Sequence, residues 1–528
     1  MQERANIFQY AEFDIDALCQ IASSLRDGQK CSCDPGQIPK SGSFNWVVNI
    51  LFDDGVEWVL RSPRNGSEIV SDDTNISLLA SEAATLKYIK AHSSIPVPEV
   101  FAYQDSDDND VGIPYILMSK ASGSALQPAW LSLGSTGSCM SQEQRARIVA
   151  QLGAITWQLS RLRFCQAGSL FEEGNEVKVK KCLSRGLLVD KRDILEDVPR
   201  GPFDTDIQYY EAHISAFLEH VKYLPLAHHC FFAPIPARGE YDDQADHLAA
   251  VDFWNNFVAV KSKIDGSHNK TDYVIAGEAL LSLLAEWTPR LSGYFASEEK
   301  DRFVLHHPDL SVDNIYVDEE FNITCIIDWA FCSAVPLPML LIPPGLPQAR
   351  DELGESLFPA FEAGFRNALE ESLPEEALDA EYRLSWVVSR NRPMWLFARF
   401  INLDSEADFY LFEALWDAVA TCNQDVLDFF RSMHASDKYR LLQVELLDED
   451  PTAEEMARKE RRSHGNDVQA LAISRKLTMV SEWASRYSKP CDRGIRRNGS
   501  IFVADKKLWK WIDCCLKSSV AAGEAESK

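Results

Sequence analysis

Apolar positions along the chain follow two periods, one of two residues and one near 3.6, and the switches between them mark out the elements. The stretch "GSFNWVVNILFDDGVEWVLRSPR", residues 42 to 64, predicts a β-hairpin. Its first strand runs from Trp46 to Phe52, its turn is Asp53-Asp54-Gly55, and its second strand passes through Trp58, Val59 and Leu60. Ahead of it, Phe13, Leu18, Ile21, Ala22 and Leu25 are spaced as a lead-in helix. Behind it, Leu79, Ala83, Leu86 and Lys90 form one row of a helix that stops before Ile95-Pro96-Val97-Pro98. Glu82 shares a face with Leu79 and Leu86, so its carboxylate is expected to point inward.

A short strand from Tyr115 to Met118 then gives way to small, flexible residues suited to a hinge. Ser141 and Gln144 form a capping box for a long helix carrying Ile148, Leu152, Ile155, Leu159 and Leu162. From about 170 to 300, helical patterns such as "IQYYEAHISAFLEHV" and "AGEALLSLLAEWTPRL" alternate with polar loops and carry no chemical signature. Trp395, Phe397, Phe400, Phe409, Tyr410, Phe412 and Trp416 are read as helix core. Beyond 446 the pattern predicts a charged helix, a helix through Trp483 and a disordered end.

The sharpest change lies in "LHHPDLSVDNIYVDEEFNITCIIDW", residues 305 to 329, where two apolar strands flank His307, Asp309, Asp313 and Asn314, and Asp328 closes the second strand. If 318 to 322 is a hairpin turn, Asn314 and Asp328 return to the same sheet edge. A divalent ion carrying polyphosphate needs a hard oxygen shell, which a carboxylate and an amide oxygen supply. Asp309, five residues before Asn314, is placed to orient an acceptor hydroxyl and take its proton. The order of strand, turn, strand, inward Glu, hinge, helices, H-x-D-x-x-x-x-N and a later Asp is that of a kinase-like phosphotransferase.

Composition narrows the alternatives. With 528 residues, 46% apolar content and 10% aromatics, the chain has enough for a large core. A formal charge of -27 argues against general nucleic-acid binding and mildly favours a cationic partner. Thirteen cysteines without repeated C-x-x-C spacing fit reduced, buried thiols and hence the cytosol. The start lacks the pattern of a signal or transit peptide, and the apolar run Ala334 to Pro347 is broken by prolines, so no membrane span is expected.

The motifs "HPDLSVDN" (307 to 314), "IIDW" (326 to 329), "GSFN" (42 to 45), "WVLRSPR" (58 to 64), "SEAATLKYI" (81 to 89), "IPVPEV" (95 to 100) and "PYILM" (114 to 118) together resemble the aminoglycoside phosphotransferase family and its large fungal branch. The resemblance spans about residues 36 to 345. It implies an α+β, bilobal protein-kinase-like fold, with a small antiparallel-sheet N-lobe (36 to 120) after the lead-in (1 to 35). A large, mainly helical C-lobe (121 to 445) and a C-terminal extension (446 to 528) would follow. It also implies ATP and Mg²⁺ as cofactors and a small-molecule hydroxyl as acceptor. By it Asp309 is the catalytic base, Asn314 and Asp328 are metal ligands, and Glu82 pairs with the cationic strand residue. Met118, Ser119 and Ala121 lie at the hinge that meets adenine, and the Ser43-Phe44 turn covers the phosphates.

One departure bears on activity: where that family has Lys, this chain has Arg61, which keeps the charge but replaces a point-like ammonium with a planar fork. Arg61 and Glu82 are therefore either phosphate-handling machinery or an ordinary strand-to-helix ion pair. The competing class is a pseudokinase that binds nucleotide or a protein partner without turnover. Pro308 within H-x-D, Trp329 after Asp328 and the lack of A-P-E disfavour a protein kinase. The lack of a Walker motif disfavours a P-loop enzyme.

Overall fold

In the computed structural model the described residues are 6–224, 267–292, 301–374 and 391–447, apart from short gaps at 65, 67–68, 132–139, 175, 404–407 and 421–423. Isolated positions 226, 244 and 388 and two short strands near the C-terminus, 496–498 and 501–503, are also described. The expected helices after 446, including the one through Trp483, lie outside them.

The N-terminal sheet contains β1 (Cys31–Ser32), β2 (Lys40–Ser41), β3 (Asn45–Phe52), β4 (Glu57–Pro63), β5 (Val100–Gln104) and β6 (Tyr115–Ser119). Its order is β1-β3-β4-β6-β5, with β2 added to β3, and every pairing is antiparallel. Strand alternation gives each face its own job. Trp46, Val48, Ile50, Trp58, Leu60 and Leu117 point to one side, where helix α1 (Ile15–Ser24) covers them with Leu18 and Ala22. Val59, Ile116 and Met118 point to the other. Arg61, two residues beyond Val59, shares that second face.

Helix α2 (Asp72–His92) lies on the second face. Ser71 caps it, Asp72 and Asp73 in its first turn and Lys90 and His92 in its last complement the helix dipole. It is buried nearly all round, from Asn75 to Ile89. One cover is the sheet and the other is an insert: a hairpin of β9 (Ser169–Glu173) and β10 (Glu176–Lys180), then a loop to residue 204. Val177 and Val179 alternate with Glu176, Lys178 and Lys180, a period-two signal that the expectation of helices and polar loops in this region did not include.

The second lobe is mainly helical. After β7 (Ser124–Ala125) and the short α3 (Gln127–Trp130), α4 (Gln142–Arg161) begins with the expected capping box. Arg163–Phe164 forms β8, Arg185–Leu188 the short α5 and Asp206–Tyr223 α6. Helix α4 packs against helix Phe358–Ser372 at glycine distance: a Cβ at Gly153 would meet the Phe361 carbonyl at 2.2 Å, and one at Gly364 the Ala150 carbonyl at 1.9 Å. Strands β11 (Phe303–His306), β12 (Ile315–Val317), β13 (Ile323–Ile326) and β14 (Ser333–Pro336) make two small sheets, β14-β11-β8 and β13-β12-β7. The fold is thus α+β and bilobal, an antiparallel sheet lobe followed by a helical one.

A second compact unit comprises residues 217–284 and 396–528. Its described part is helical and aromatic, with Phe400, Phe412 and Phe430 packed ring to ring. Buried Asp272 and Asp408 are met by His434 at 2.6 Å and the Tyr273 hydroxyl at 2.7 Å. Among the described residues no helix is long and apolar enough to cross a membrane.

Candidate active site

The loop between β11 and β12 is held by its own histidine. His307, 2% exposed, lies 3.0 Å from the Ile327 carbonyl through Nε2, and the Asp309 N–H reaches its Nδ1 at 3.1 Å. A carbonyl accepts and an N–H donates, so the ring is neutral, with its proton on Nε2. Burial pushes its pKa down, which keeps it in that form. His307 is therefore a brace between the loop and the strand leading to Asp328, and Trp329 packs edge-on against it at 4.6 Å.

Within the loop the Asn314 amide donates to the Asp309 carbonyl at 2.8 Å and to the Asp309 carboxylate at 3.3 Å. That fixes the Asp309 side chain and leaves the Asn314 side-chain oxygen, Oδ1, without a hydrogen bond among the described residues. The 318 to 322 turn closes as a hairpin, with the Asp318 N–H on the Asn322 carbonyl at 3.0 Å and the Asp318 carboxylate taking two further N–H groups. Ile315 pairs with Ile326, and the Ile327 N–H reaches the Asn314 carbonyl at 3.0 Å. Asn314 and Asp328 thus leave the hairpin at the same end.

Asp328 has a positive φ of 66° and is held by Arg61, whose Nη2 donates to its Oδ1 at 2.5 Å. Arg61 Nε lies 3.1 Å from Glu82 Oε2, an ion pair by distance without hydrogen-bond alignment. One guanidinium thus serves two carboxylates. Burial pushes Glu82 up to about 7, against the pull of Arg61 and the Trp329 N–H on its Oε1 at 3.2 Å. Burial also resists ionisation of Asp328, but the Arg61 charge and hydrogen bond, aided by the Arg185 charge, hold that carboxyl below the usual range.

The other predicted residues lie around this core. The turn carrying Ser43 and Phe44 folds down so that the Phe44 ring meets Phe331 at 4.9 Å, three residues after Asp328. At the hinge, the Ser119 and Lys120 N–H groups are taken by the Glu99 and Glu57 carbonyls at 2.9 and 3.4 Å. The Ala121 N–H meets no described residue, while Met118 is 6% exposed at the end of β6. Gly123, at φ 85°, lets the following turn press onto β12, where a Cβ would come within 2.4 Å of the Val317 carbonyl. The sequence reading missed Arg185, a cation of the insert whose charge reaches Asp328. No spacing signal could have found it, since it lies far from the loop in sequence.

For a divalent ion the donor set fits in kind. Asn314 Oδ1 and Asp328 Oδ2 are hard oxygens at one hairpin end, neither taking a hydrogen bond from a described residue. No group of three or more His, Cys, Asp or Glu side chains among the described residues forms a self-sufficient metal cage. A two-ligand site completed by phosphate oxygens is the arrangement these residues offer.

The strand order, the strand cation paired with a helix glutamate, and the aspartate-asparagine loop beside a strand-end aspartate define a protein-kinase-like fold. No protein-family model matches the chain. It is 33% identical over 132 residues to a subtelomeric hrmA-associated cluster protein of Aspergillus fumigatus, 25% of this chain and 24% of that one. It is 25% identical over 235 residues to altered inheritance of mitochondria protein 9, mitochondrial, of Yarrowia lipolytica, 38% of this chain and 39% of that one. The chain therefore spans about a quarter of the length of the Aspergillus relative. Similar solved structures are macrolide 2'-phosphotransferase MphH from Brachybacterium faecium (15% identity, TM-score 0.31, 78% of this chain and 99% of that one) and an ethanolamine kinase of Plasmodium vivax (11%, 0.31, 80% and 83%).

The cytosolic expectation is overturned, because relatives in several yeasts are mitochondrial by name. Free thiols report a reducing compartment without saying which one.

Proposed function

We propose that the chain transfers the γ-phosphoryl group of ATP, with Mg²⁺, to a hydroxyl of a small molecule, in the manner of the aminoglycoside phosphotransferases it resembles. The observation that carries this is the Asp309–Asn314 hydrogen bond inside a loop whose far end meets Asp328 across one hairpin. Asp309 accepts the acceptor's hydroxyl proton as its oxygen bonds to phosphorus and the bond from phosphorus to the ADP oxygen breaks. The transition state is loose, so a base held in place by Asn314 suffices. Asn314 and Asp328 would hold the divalent ion, which neutralises charge on the phosphate oxygens. Ala121 offers the open hinge N–H for adenine, and the Ser43-Phe44 turn covers the phosphates. The acidic surface mildly favours a cationic acceptor, such as an amino sugar or a choline-like alcohol.

A second reading, a nucleotide-binding module without turnover, draws on the Arg61 fork, which already engages both Glu82 and Asp328. The two are separated by measuring Mg²⁺-dependent ATP binding and ADP release over a panel of alcohols and amino sugars. Turnover with any acceptor supports the enzyme, and metal-dependent binding with none supports the module.

A further inference from the structure

The Ser43-Phe44 turn is closed by the Gly42 N–H, which donates to the Asn45 carbonyl at 2.9 Å. Two of its carbonyls are taken by one residue from outside it. Arg64, half-buried just past the end of β4, donates from Nη1 to the Gly42 carbonyl at 3.0 Å and from its backbone N–H to the Phe44 carbonyl at 2.8 Å. Neither the Ser43 nor the Phe44 N–H donates to a described residue. A trans peptide is planar, with its C=O and its N–H pointing opposite ways. The grip on the Gly42 carbonyl therefore also sets the direction of the Ser43 N–H, which faces away from the guanidinium.

Arg64 is itself held from several sides. Asn75 of α2, 4% exposed, donates to its carbonyl at 3.3 Å, and the Trp46 indole donates to the preceding carbonyl, that of Pro63, at 3.1 Å. The guanidinium lies over the Tyr10 ring, with Cζ 5.2 Å from its centroid. Tyr10 in turn stacks on Trp46 at 6.1 Å, and its hydroxyl pairs with Ser41 Oγ at 2.6 Å, one residue before Gly42. The lead-in thus backs both the cation and the strand that enters the turn. Only an arginine can stack its flat face on a ring while an edge N–H reaches a carbonyl.

We infer that Arg64 is a positioning residue of the nucleotide site: by holding the Gly42 carbonyl it aims the Ser43 N–H, across one planar peptide, at a phosphate oxygen of the bound nucleotide. This rests on the nucleotide-binding reading above. The test uses the full chain as wild type, as Arg64→Met, which keeps the stem and removes the donor, and as Arg64→Lys, which keeps a donor without the planar face. Mg²⁺-ATP and adenosine binding are measured by calorimetry, and hydrogen exchange at the turn is followed without ligand. Arg64→Met is expected to weaken ATP binding about tenfold, to change adenosine less than about twofold and to speed exchange of the Gly42 N–H while β6 stays as it was, with Arg64→Lys intermediate. Weaker ATP binding with turn exchange unchanged would make Arg64 a direct contact, equal losses for ATP and adenosine would make it a general structural residue, and unchanged ATP affinity would remove it from the site. Each of these overturns the inference. If Arg64→Met lowers the thermal midpoint, Arg64→Lys decides: an intermediate loss of ATP affinity at an unchanged midpoint carries the inference, and no loss overturns it. A wild type that binds neither ATP nor adenosine would sink the nucleotide reading itself, a failure set apart from the others because it occurs with Arg64 in place.

Discussion

At the scale of single residues, the candidate site divides into groups proposed to do chemistry and groups that hold them in place. Replacing Asp309 with Asn removes the proposed proton acceptor but keeps a side chain of the same shape. Turnover should fall about 10²- to 10⁴-fold while ATP affinity stays nearly unchanged, as steady-state rates and calorimetry would show. Arg61→Ala leaves buried Glu82 and partly exposed Asp328 facing each other without their cation. Removing one partner from such a buried set costs about 3 kcal/mol or more, readable in urea unfolding. Glu82 gives a pH signature. Its carboxyl is raised in the folded state to about 7, so between its ordinary 4.5 and that value the native protein holds a proton that the unfolded chain has released. Stability from this group is full below 4.5 and is lost as pH rises through about 7. The stability of wild type relative to Glu82→Gln should therefore fall over that window, and a flat difference would show that Glu82 is ionised throughout.

At the scale of elements, the hairpin 42 to 64, the capping box of α4 and the turn at 318 to 322 were legible because each has a short-range cause: strand alternation, a reciprocal cap, an Asp whose carboxylate gathers following N–H groups. Glu82 could be called inward from spacing alone. That Arg61 would reach Asp328, 267 residues away, could not, since nothing local encodes a contact of that span. The glycines at the α4 contact were equally silent. Their meaning lies in a partner helix, where Gly153 and Gly364 let two backbones meet. Gly364→Ala would drive a methyl into the Ala150 carbonyl, and overpacking of this kind costs about 2–3 kcal/mol, a loss that thermal unfolding would register.

At the scale of the part of the molecule that holds the candidate site, the insert between α4 and α6 matters most. It bonds to α2 and the segment just before it through Lys87 with Glu172 at 3.0 Å, Lys181 with Ser77 at 2.9 Å, the Lys191 N–H with the Ile69 carbonyl at 2.9 Å and the Ser71 N–H with Asp193 at 2.7 Å. Asp193→Ala should cost about 1–2 kcal/mol and speed amide exchange in the first turn of α2, leaving its last turn unaffected. Kinase-like proteins are commonly switched off by swinging away the helix that bears the glutamate. Here that rotation would have to tear several separate fastenings at once. The helix that bears Glu82 is consequently bolted down along its length, and a change confined to one fastening would leave the others to hold it.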